Sequence, residues 1–349
     1  METKLYVIDK EEPDIRILAE AADVLKQGGL VAFPTETVYG LGANGLDPGA
    51  VAGIFAAKGR PSDNPLILHI AEPHEVEKLA REIPANARAL MERYWPGPLT
   101  VVLERTRAVP DAVTAGLDTV AIRLPDSLVA RTLISLAGVP VAAPSANTSG
   151  RPSPTTAQAV MTDLAGKVEI VIDAGPCGIG VESTVIDCTT PVPTLLRPGG
   201  VTLEMLMDTL GEVEVDPALA QGSAIPRSPG MKYTHYAPAA PMTLFEGPAE
   251  ACEAGIVQAV SQALAEGRRT GAVVSAETAK QLPQSAVIAV YGSRLRPEEA
   301  AANLYSALRR FDADAVDIIF AEGLPEQGLG LAVMNRLRKA AGYHIVRCA

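Results

Sequence analysis

The sequence predicts an α/β protein of two domains, each built on one sheet. Short apolar segments that are typical of buried strands mix with segments of helical periodicity along most of the 349 residues. Their order is irregular up to about residue 210 and becomes a regular alternation of strand and helix after about residue 240. Hydrophobic residues make up 48% of the chain and charged residues 20%, so the chain is not a disordered one and can bury real cores.

Residues 1–211 are predicted to form the larger domain around one twisted sheet with flanking helices. One helix follows Asp14 and stops at a Gly-Gly pair. The next begins at Asp47-Pro48 and stops at Gly59, which are ordinary start and stop residues. Strands are predicted from the apolar segments LVAFPT, PLILHIA, PLTVVLE, TVAIRLP, VPVAAPS, EIVIDAG and STVIDC.

Residues 212–240 contain several prolines and no clear period, so we predict a linker or a functional loop there. Residues 241–349 are predicted to form the second domain. Its strands are MTLFE, TGAVVS, AVIAVYG and AVDIIFAEG, and its helices are EACEAGIVQAVSQALAEG, PEEAAANLYSALRRF and GLAVMNRLRKAAG. This order predicts a small Rossmann-like parallel sheet.

Composition excludes several classes of protein. The net charge of −11 and the pI of about 5.0 argue against a protein whose main task is to hold nucleic acid, because phosphate binding needs a basic face. The four cysteines are scattered without a C-x-x-C pair, which indicates neither a zinc site nor a disulfide framework. The start is charged, and no apolar stretch reaches the roughly 18 residues of a membrane span. We therefore expect a cytoplasmic protein without a membrane segment.

The segment KGRPSDNP places Lys58 and Arg60 in a loop that two prolines and a glycine stiffen. Two such cations can clamp a phosphate, because lysine acts as a point charge and arginine as a fork for two oxygens. The alternative is that Lys58 only ends a helix and complements its dipole. Ser62 in the same loop donates a further hydrogen bond or caps the turn. We expect both to be exposed loop charges, which contribute little to stability, so that removal of either should hardly change the melting temperature.

Arg123 lies inside the apolar strand TVAIRLP. A buried guanidinium needs either a carboxylate partner or an anionic ligand, and both alternatives stay open. Thr119 shares its strand face, because side chains alternate along a strand. Thr35 ends a strand, where α/β sheets place ligands. His69 interrupts another apolar strand, where a core histidine is the alternative to a ligand.

The segment APSANTSGRPSPTT contains Ser145, Asn147 and Ser153, which either line an anion or nucleotide pocket or cap the next helix. Ser183 and Arg197 lie near the ends of two further strands. Strand ends of an acidic protein thus carry several cations and hydroxyl groups. That combination suits a polyphosphate substrate whose reaction needs electrostatic stabilisation more than a base.

Residues 40–45 match the pattern G-x-G-x-x-G. A dinucleotide-binding turn would need these glycines to join a strand directly to a helix, but the next helix begins only at Asp47. We therefore interpret the segment as a turn with permissive glycines. The alternative that the protein is a dinucleotide-dependent oxidoreductase rests on this match alone. The alternative that it is a non-catalytic RNA-binding module conflicts with the net charge of −11.

These motifs, in this order, resemble the threonylcarbamoyl-AMP synthases, which are YrdC-like proteins, in their long two-domain form. The resemblance covers nearly the whole chain. It rests on PTETVYGLGAN, KGRPSDNPLILHI, WPGPLTVVL, AGLDTVAIRLP, APSANTSGRPSPT, VESTVID and LLRPG, on SPGMKYTHYAP in the linker, and on GLGLAVMNRLRKAAG near the end. It implies a YrdC-like mixed sheet around a deep cavity, followed by a C-terminal Rossmann-like domain.

The resemblance also implies a nucleotidyltransferase reaction. L-Threonine and bicarbonate give N-carboxythreonine, whose carboxylate attacks the α-phosphate of ATP to form L-threonylcarbamoyladenylate and pyrophosphate. Because the sequence shows no dedicated ligand set, Mg²⁺ is expected to arrive with ATP. Downstream tRNA threonylcarbamoyl transferase proteins would then modify the adenosine beside the anticodon. Tight direct binding of nucleic acid by this chain is not expected.

Roles for individual residues follow from the same resemblance. Lys58 and Arg60 would be the catalytic cations. The threonine site would consist of Thr35, His69, Arg123, Ala143 and Ser183. The ATP site would consist of Lys58, Ser62, Thr119, Ser145, Asn147, Ser153, Arg197 and Tyr236. The aromatic residues and prolines of SPGMKYTHYAP, and not the resemblance, predict that the linker folds over the active site as a lid, with the Tyr236 hydroxyl against the nucleotide phosphates. The alternative is that the linker only packs between the domains.

Overall fold

The computed structural model describes residues 1–221 and 236–349. The chain divides into two compact units. The first comprises Met1–Ser149, Ser153–Gly178 and Glu182–Tyr233, and the second comprises Gly150–Pro152, Ile179–Val181 and Thr234–Ala349. No helix within the described ranges combines the length and apolar character that a membrane crossing requires.

The first unit is built on an 11-stranded mixed sheet. Its strands are β1 (Lys4–Val7), β2 (Val31–Phe33), β3 (Gly40–Asn44), β4 (Ile67–His69), β5 (Leu99–Glu104), β6 (Thr119–Arg123), β7 (Val141–Ala142), β8 (Ile170–Asp173), β9 (Thr184–Asp187), β10 (Thr194–Arg197) and β11 (Glu214–Val215). They lie in the order β1-β8-β2-β3-β7-β4-β6-β5-β9-β10-β11. Because β11 pairs in parallel with β10, the predicted linker starts with an element of this sheet.

Helices cover this sheet. They are α1 (Ile15–Lys26), α2 (Pro48–Lys58), α3 (Val76–Leu79) after a 3-10 turn (Pro73–Glu75), α4 (Ala85–Tyr94), α5 (Asp111–Thr114), α6 (Leu128–Ala137), α7 (Ala157–Leu164), α8 (Leu203–Leu210) and α9 (Ala218–Gln221). Leu18 and Leu25 of α1 and Leu133 of α6 pack with Phe33 and Ile170 of the sheet in one buried cluster. Burial of these side chains, each worth roughly 1.5–3 kcal/mol, holds the two helices on the strands.

The two predicted helix starts are confirmed, and one of them fixes a site residue. Asp14 accepts a hydrogen bond from the Arg16 amide at 2.9 Å. Asp47 accepts one from the Gly49 amide at 2.8 Å at the start of α2. The residue after α2, Gly59, has a φ of 60°, the left-handed conformation that ends helices. Lys58 is therefore the last residue of a capped helix.

The glycine-rich segment at residues 40–45 is not a turn, so that interpretation is wrong. Residues 40–44 form β3, which pairs with β2 and β7. A Cβ atom on Gly42 would lie 2.8 Å from side-chain atoms of both Phe33 and Val141. The glycines allow close packing within the sheet, and they do not join a strand to a helix as a dinucleotide-binding turn requires.

The second unit carries a five-stranded parallel sheet, which confirms the Rossmann-like prediction. Its strands are β12 (Met242–Glu246), β13 (Thr270–Ser275), β14 (Val287–Gly292), β15 (Ile318–Glu322) and β16 (Ile345–Arg347), in the order β14-β13-β15-β12-β16. Its helices are α10 (Ala249–Ala265), α11 (Ala276–Ala279), α12 (Pro297–Asp314) and α13 (Leu329–Ala340). Ile256 and Val260 of α10 pack against Phe245 and Phe320 in its core.

Candidate active site

Strand directions bring several predicted site residues to one edge of the first sheet. β4 and β6 run parallel and end at His69 and Arg123, which are direct partners in register. β5 runs antiparallel to β6 and places Thr100 opposite Arg123. β9 runs parallel to β5 and follows Ser183, while the antiparallel β10 ends at Arg197. Two arginines, a histidine and two hydroxyl groups therefore meet where these strands begin or end.

Arg123 is 4% exposed, and its guanidinium is held on three sides. Its Nη2 donates to Glu36 Oε1 at 2.5 Å, its Nη1 donates to Thr37 Oγ1 at 3.0 Å, and its Nε donates to the Gly97 carbonyl at 3.3 Å. A buried guanidinium was expected to have either a carboxylate partner or an anionic ligand, and Glu36 is that carboxylate partner. The other alternative, an anionic ligand, needs the same guanidinium.

Two threonines extend this contact as a chain of hydroxyl groups. The Oγ1 atoms of Thr35 and Thr37 lie 2.8 Å apart, and the Thr35 hydroxyl donates to the Val38 carbonyl at 2.7 Å. Because the single hydroxyl proton of Thr35 is donated to Val38, Thr37 is the donor to Thr35, and Thr37 Oγ1 in turn accepts from Arg123. Each hydroxyl polarises the next one, so Arg123 orients Thr35 through Thr37.

Arg197 is bound to Ser183 in a second buried contact. Its Nη2 donates to the Ser183 carbonyl at 2.9 Å and to Ser183 Oγ at 3.2 Å. Ser183 Oγ lies 2.8 Å from Thr100 Oγ1, on the strand position opposite Arg123. Arg197, Ser183 and Thr100 therefore form one buried hydrogen-bonded group, and Thr100 is the register partner of Arg123.

His69 stays neutral in this environment. Burial, together with the positive charges of Arg123 and Arg197, lowers its pKa from the ordinary 6.5 to about 3. Its Nδ1 lies 3.3 Å from the Ile67 carbonyl. A neutral imidazole that is fixed in this way can orient a polar substrate, but it adds no charge to the site at neutral pH.

We expect this histidine to make the fold sensitive to acid. Because its pKa is lower in the folded chain, the unfolded chain binds an extra proton as the pH falls from 6.5 toward 3. His69→Gln should therefore remove part of the acid destabilisation, up to about 1.4 kcal/mol per pH unit between about pH 6 and 4. Urea unfolding at several pH values measures this slope. The matched control is His74→Gln, at an exposed histidine, and an identical slope in both variants would refute the expectation.

Lys58 joins a second group of predicted residues. Its Nζ donates to the Ser145 carbonyl and, at 2.6 Å, to the Asn147 carbonyl. Ser145 Oγ donates to Asn147 Oδ1 at 2.5 Å. Lys58 is only 2% exposed, so the expectation of an exposed loop charge is wrong for this residue. Lys58 is the last residue of α2, and its side chain reaches the backbone after β7, where carbonyl oxygens accept hydrogen bonds from its ammonium group.

Arg60 lies against its own loop. Its Nη2 donates to the carbonyls of Asn64 and Pro65, at 3.3 Å each, and its guanidinium lies 5.9 Å from the centre of the Phe55 ring. The side chain is half-buried, while Ser62 is exposed. The described contacts therefore fix Arg60 beside the loop backbone, separately from the oxygens that hold Lys58.

The remaining predicted residues of this unit lie in three places. Ser153 Oγ donates to Glu182 Oε1 at 2.5 Å, and both side chains are buried. The Ala143 amide donates to the Ile67 carbonyl at 3.0 Å, so this backbone is anchored next to β4. Thr119 is half-buried at the start of β6, and Arg123 ends the same strand.

Tyr236 is described with the second unit, where its ring stacks on Tyr305 at 5.4 Å and lies 5.9 Å from the Arg336 guanidinium. The ring is buried, and its φ of 66° is unusual for a tyrosine. Residues 222–235, which hold most of SPGMKYTHYAP and of the predicted lid, lie outside the described residues.

Sequence reasoning missed four polar residues that the structure adds to these groups: Glu36, Thr37, Thr100 and Glu182. Two of them stand next to predicted residues, in PTETVYG and VESTVID. The requirement that a buried arginine has a carboxylate partner was a usable signal for Glu36. Thr100 has no such signal, because only the pairing of β5 with β6 and β9 brings it to the site.

The side chains also bear on metal binding and on cysteine chemistry. Within residues 1–221 and 236–349, no three His, Cys, Asp or Glu side chains converge as a metal site. Cys177 is buried, and burial raises the pKa of its thiol to about 12, so it stays protonated at neutral pH.

Two family models match the chain. The model described as "Telomere recombination", of the Sua5, YciO and YrdC proteins, matches residues 23–199. The model described as "Threonylcarbamoyl-AMP synthase, C-terminal domain" matches residues 201–342. Together they span most of the sequence.

Individual proteins are similar over nearly the full length. The chain is 51% identical over 338 residues to the threonylcarbamoyl-AMP synthase of Pyrococcus abyssi, covering 97% of this chain and 96% of that protein. It is 48% identical to the threonylcarbamoyl-AMP synthase of Bacillus subtilis, covering 99% of this chain and 100% of that protein. The fold matches the crystal structure of P. abyssi Sua5 complexed with L-threonine at a TM-score of 0.94, with 48% identity, 99% of this chain and 100% of that chain.

Proposed function

The chain belongs to the threonylcarbamoyl-AMP synthase family, and on that premise we propose which of its residues bind L-threonine and ATP. The reaction of the family, which this chain catalyses, converts L-threonine, bicarbonate and ATP into threonylcarbamoyl-AMP and pyrophosphate. The product carries the threonylcarbamoyl group that is used to modify tRNA next to the anticodon.

The observation that carries the threonine site is the buried group around Arg123 at the sheet edge. Arg123 binds the substrate carboxylate, because a fixed guanidinium presents parallel N–H groups to two oxygens. Thr35, the neutral His69, Ser183 and the Ala143 backbone contact the rest of the amino acid. The threonine complex of the P. abyssi relative supports a threonine site in this fold.

The ATP site is proposed around the second group of contacts. The carbonyls of Ser145 and Asn147 hold Lys58, so its ammonium group is positioned before any substrate binds. ATP is bound by Lys58, Ser62, Thr119, Ser145, Asn147, Ser153 and Arg197, and Arg60 acts with Lys58 as a catalytic cation. The contact of Tyr236 with the phosphates stays a prediction from the sequence, because most of the predicted lid lies outside the described residues.

Charge stabilisation accounts for the chemistry at these residues. The carboxylate of N-carboxythreonine forms a new bond to the α-phosphorus, and the bond from that phosphorus to the bridging oxygen breaks. The electron pair of the broken bond leaves with pyrophosphate. Lys58, Arg60 and Arg197 stabilise the charge that develops on the phosphate oxygens, and a preorganised group of this kind contributes on the order of 10²–10³ in rate.

Mg²⁺ enters with ATP as part of the substrate, bound by phosphate oxygens and water. The product is then passed to tRNA threonylcarbamoyl transferase proteins as the downstream partners. These two proposals rest on the reaction itself: a triphosphate carries Mg²⁺, and an acyl-adenylate is consumed by transfer of its acyl group. With its net charge of −11, the chain is not proposed to bind tRNA tightly.

Pyrophosphate release tests the function directly. We expect release from ATP only when threonine and bicarbonate are both present, because neither alone supplies the attacking carboxylate. A coupled pyrophosphate assay in carbon dioxide-free buffer, with each substrate omitted in turn, measures this dependence. Equal turnover without threonine and without bicarbonate would show a plain ATPase instead.

A further inference from the structure

Glu36 is the carboxylate that holds Arg123. The contact between Glu36 Oε1 and Arg123 Nη2 is 2.5 Å long, and the two side chains are 14% and 4% exposed. The second oxygen of Glu36, Oε2, is buried and has no hydrogen-bond partner among the described residues. A buried carboxylate oxygen without a donor among the described residues is unusual, and a bound substrate can supply that donor.

A substrate carboxylate and Glu36 compete for the same side of Arg123. Nε of Arg123 is directed to the Gly97 carbonyl and Nη1 to Thr37, while Nη2 carries Glu36. A carboxylate that binds two N–H groups of this fork therefore comes within a few ångströms of the Glu36 carboxylate. Two like charges at that distance repel each other unless a positive charge lies between them.

L-Threonine brings that positive charge. Its ammonium group and its carboxylate are attached to the same carbon, so the two charges stand about as close as the charges of Arg123 and Glu36. When the substrate carboxylate takes the guanidinium, the ammonium group can take Glu36. Each buried charge then keeps a partner, which a simple carboxylic acid cannot achieve.

We propose that Glu36 binds the α-ammonium group of L-threonine and selects amino acids over carboxylic acids that lack the amine. The proposal rests on the assignment of Arg123 to the substrate carboxylate. Glu36 is a specificity residue in this role: it pairs with Arg123, and when threonine binds, its buried oxygens accept hydrogen bonds from the substrate nitrogen.

Isothermal titration calorimetry without ATP tests the proposal with two ligands, L-threonine and 3-hydroxybutyrate, which is threonine without its amino group. We expect the wild-type chain to bind threonine far more tightly than 3-hydroxybutyrate. Glu36→Gln should weaken threonine roughly 10- to 100-fold, because a charge-assisted hydrogen bond is lost. The same variant should bind 3-hydroxybutyrate at least as tightly as the wild type does, because the competing charge is gone.

Controls separate this role from a structural one. Glu36→Asp keeps the charge and should restore most of the preference for threonine. Glu20→Gln, which removes an exposed carboxylate paired with Lys4 at 2.7 Å, should change neither affinity. Melting temperatures show whether each variant is folded.

Three results would overturn the proposal. Tighter threonine binding by Glu36→Gln would make Glu36 only a competitor for Arg123. If Glu36→Gln loses affinity equally for both ligands, and Glu36→Asp does not recover it, the role of Glu36 is purely structural. A threonine affinity that survives Arg123→Ala would refute the assignment of the carboxylate site itself, which is a different failure.

Discussion

Replacing Lys58 by alanine slows threonylcarbamoyl-AMP formation by on the order of 10²-fold or more, because the variant lacks a cation that is positioned for the phosphates. The substitution also lowers stability. Lys58 is 2% exposed and donates to two backbone carbonyls, which the variant leaves without this donor. A buried acceptor that loses its partner costs about 1–3 kcal/mol. Steady-state pyrophosphate release and thermal melting measure the two effects.

The matched control is Lys26→Ala. Lys26 is also the last residue of an α-helix, but it is exposed and pairs with Asp23 at 3.2 Å. If Lys58 served only the helix dipole, both variants would lose a few tenths of a kcal/mol to about 1 kcal/mol of stability and no activity. Normal turnover of Lys58→Ala would therefore remove Lys58 from the proposed catalytic groups.

Replacing Arg123 by alanine should weaken threonine binding on the order of 10²-fold while ATP still binds. The loss corresponds to two charge-assisted hydrogen bonds to the substrate carboxylate. The variant also leaves Glu36 buried without its cation, and breaking a buried ion pair in this way costs about 3–5 kcal/mol of stability. Calorimetric titration with threonine and with a non-hydrolysable ATP analogue separates the two affinities.

A double variant tests whether Arg123→Ala loses threonine binding only because the chain unfolds. Arg123→Met with Glu36→Gln removes both charges, so it should be more stable than Arg123→Ala and should still fail to bind threonine. Arg131→Ala is the surface control, because its ion pair with Glu72 is 3.7 Å long and much more exposed. If the double variant binds threonine as tightly as the wild type does, Arg123 does not bind the substrate carboxylate.

The fold was predictable wherever its signals are local. The Asp-Pro start and the Gly59 stop of α2 are short-range features, and both are observed. The strand Gly40–Asn44 was missed because it contains two glycines and no β-branched residue, so packing against its neighbours makes it a strand, not its own propensity. The strand Lys4–Val7 was missed as well, since its partner lies about 165 residues away, at Ile170–Asp173.

The candidate site was predictable as a set of residue types and less so as a set of contacts. The buried position of Arg123 could be read from its apolar strand. Its partner could not be identified among many carboxylates, since Glu36 is 87 residues away in sequence. The acceptors of Lys58 are backbone carbonyls, which leave no signature in a sequence.

The register between β4 and β6 limits how this gene can change in length. His69 and Arg123 are direct partners, each at the last position of its strand. One inserted residue within Thr119–Arg123 would turn the guanidinium to the opposite face of the sheet, because side chains alternate. Two inserted residues would restore the face but displace the guanidinium by roughly 6.6 Å along the strand, out of reach of Glu36 and Thr37. Insertions and deletions that preserve activity must therefore fall in the connections between these strands.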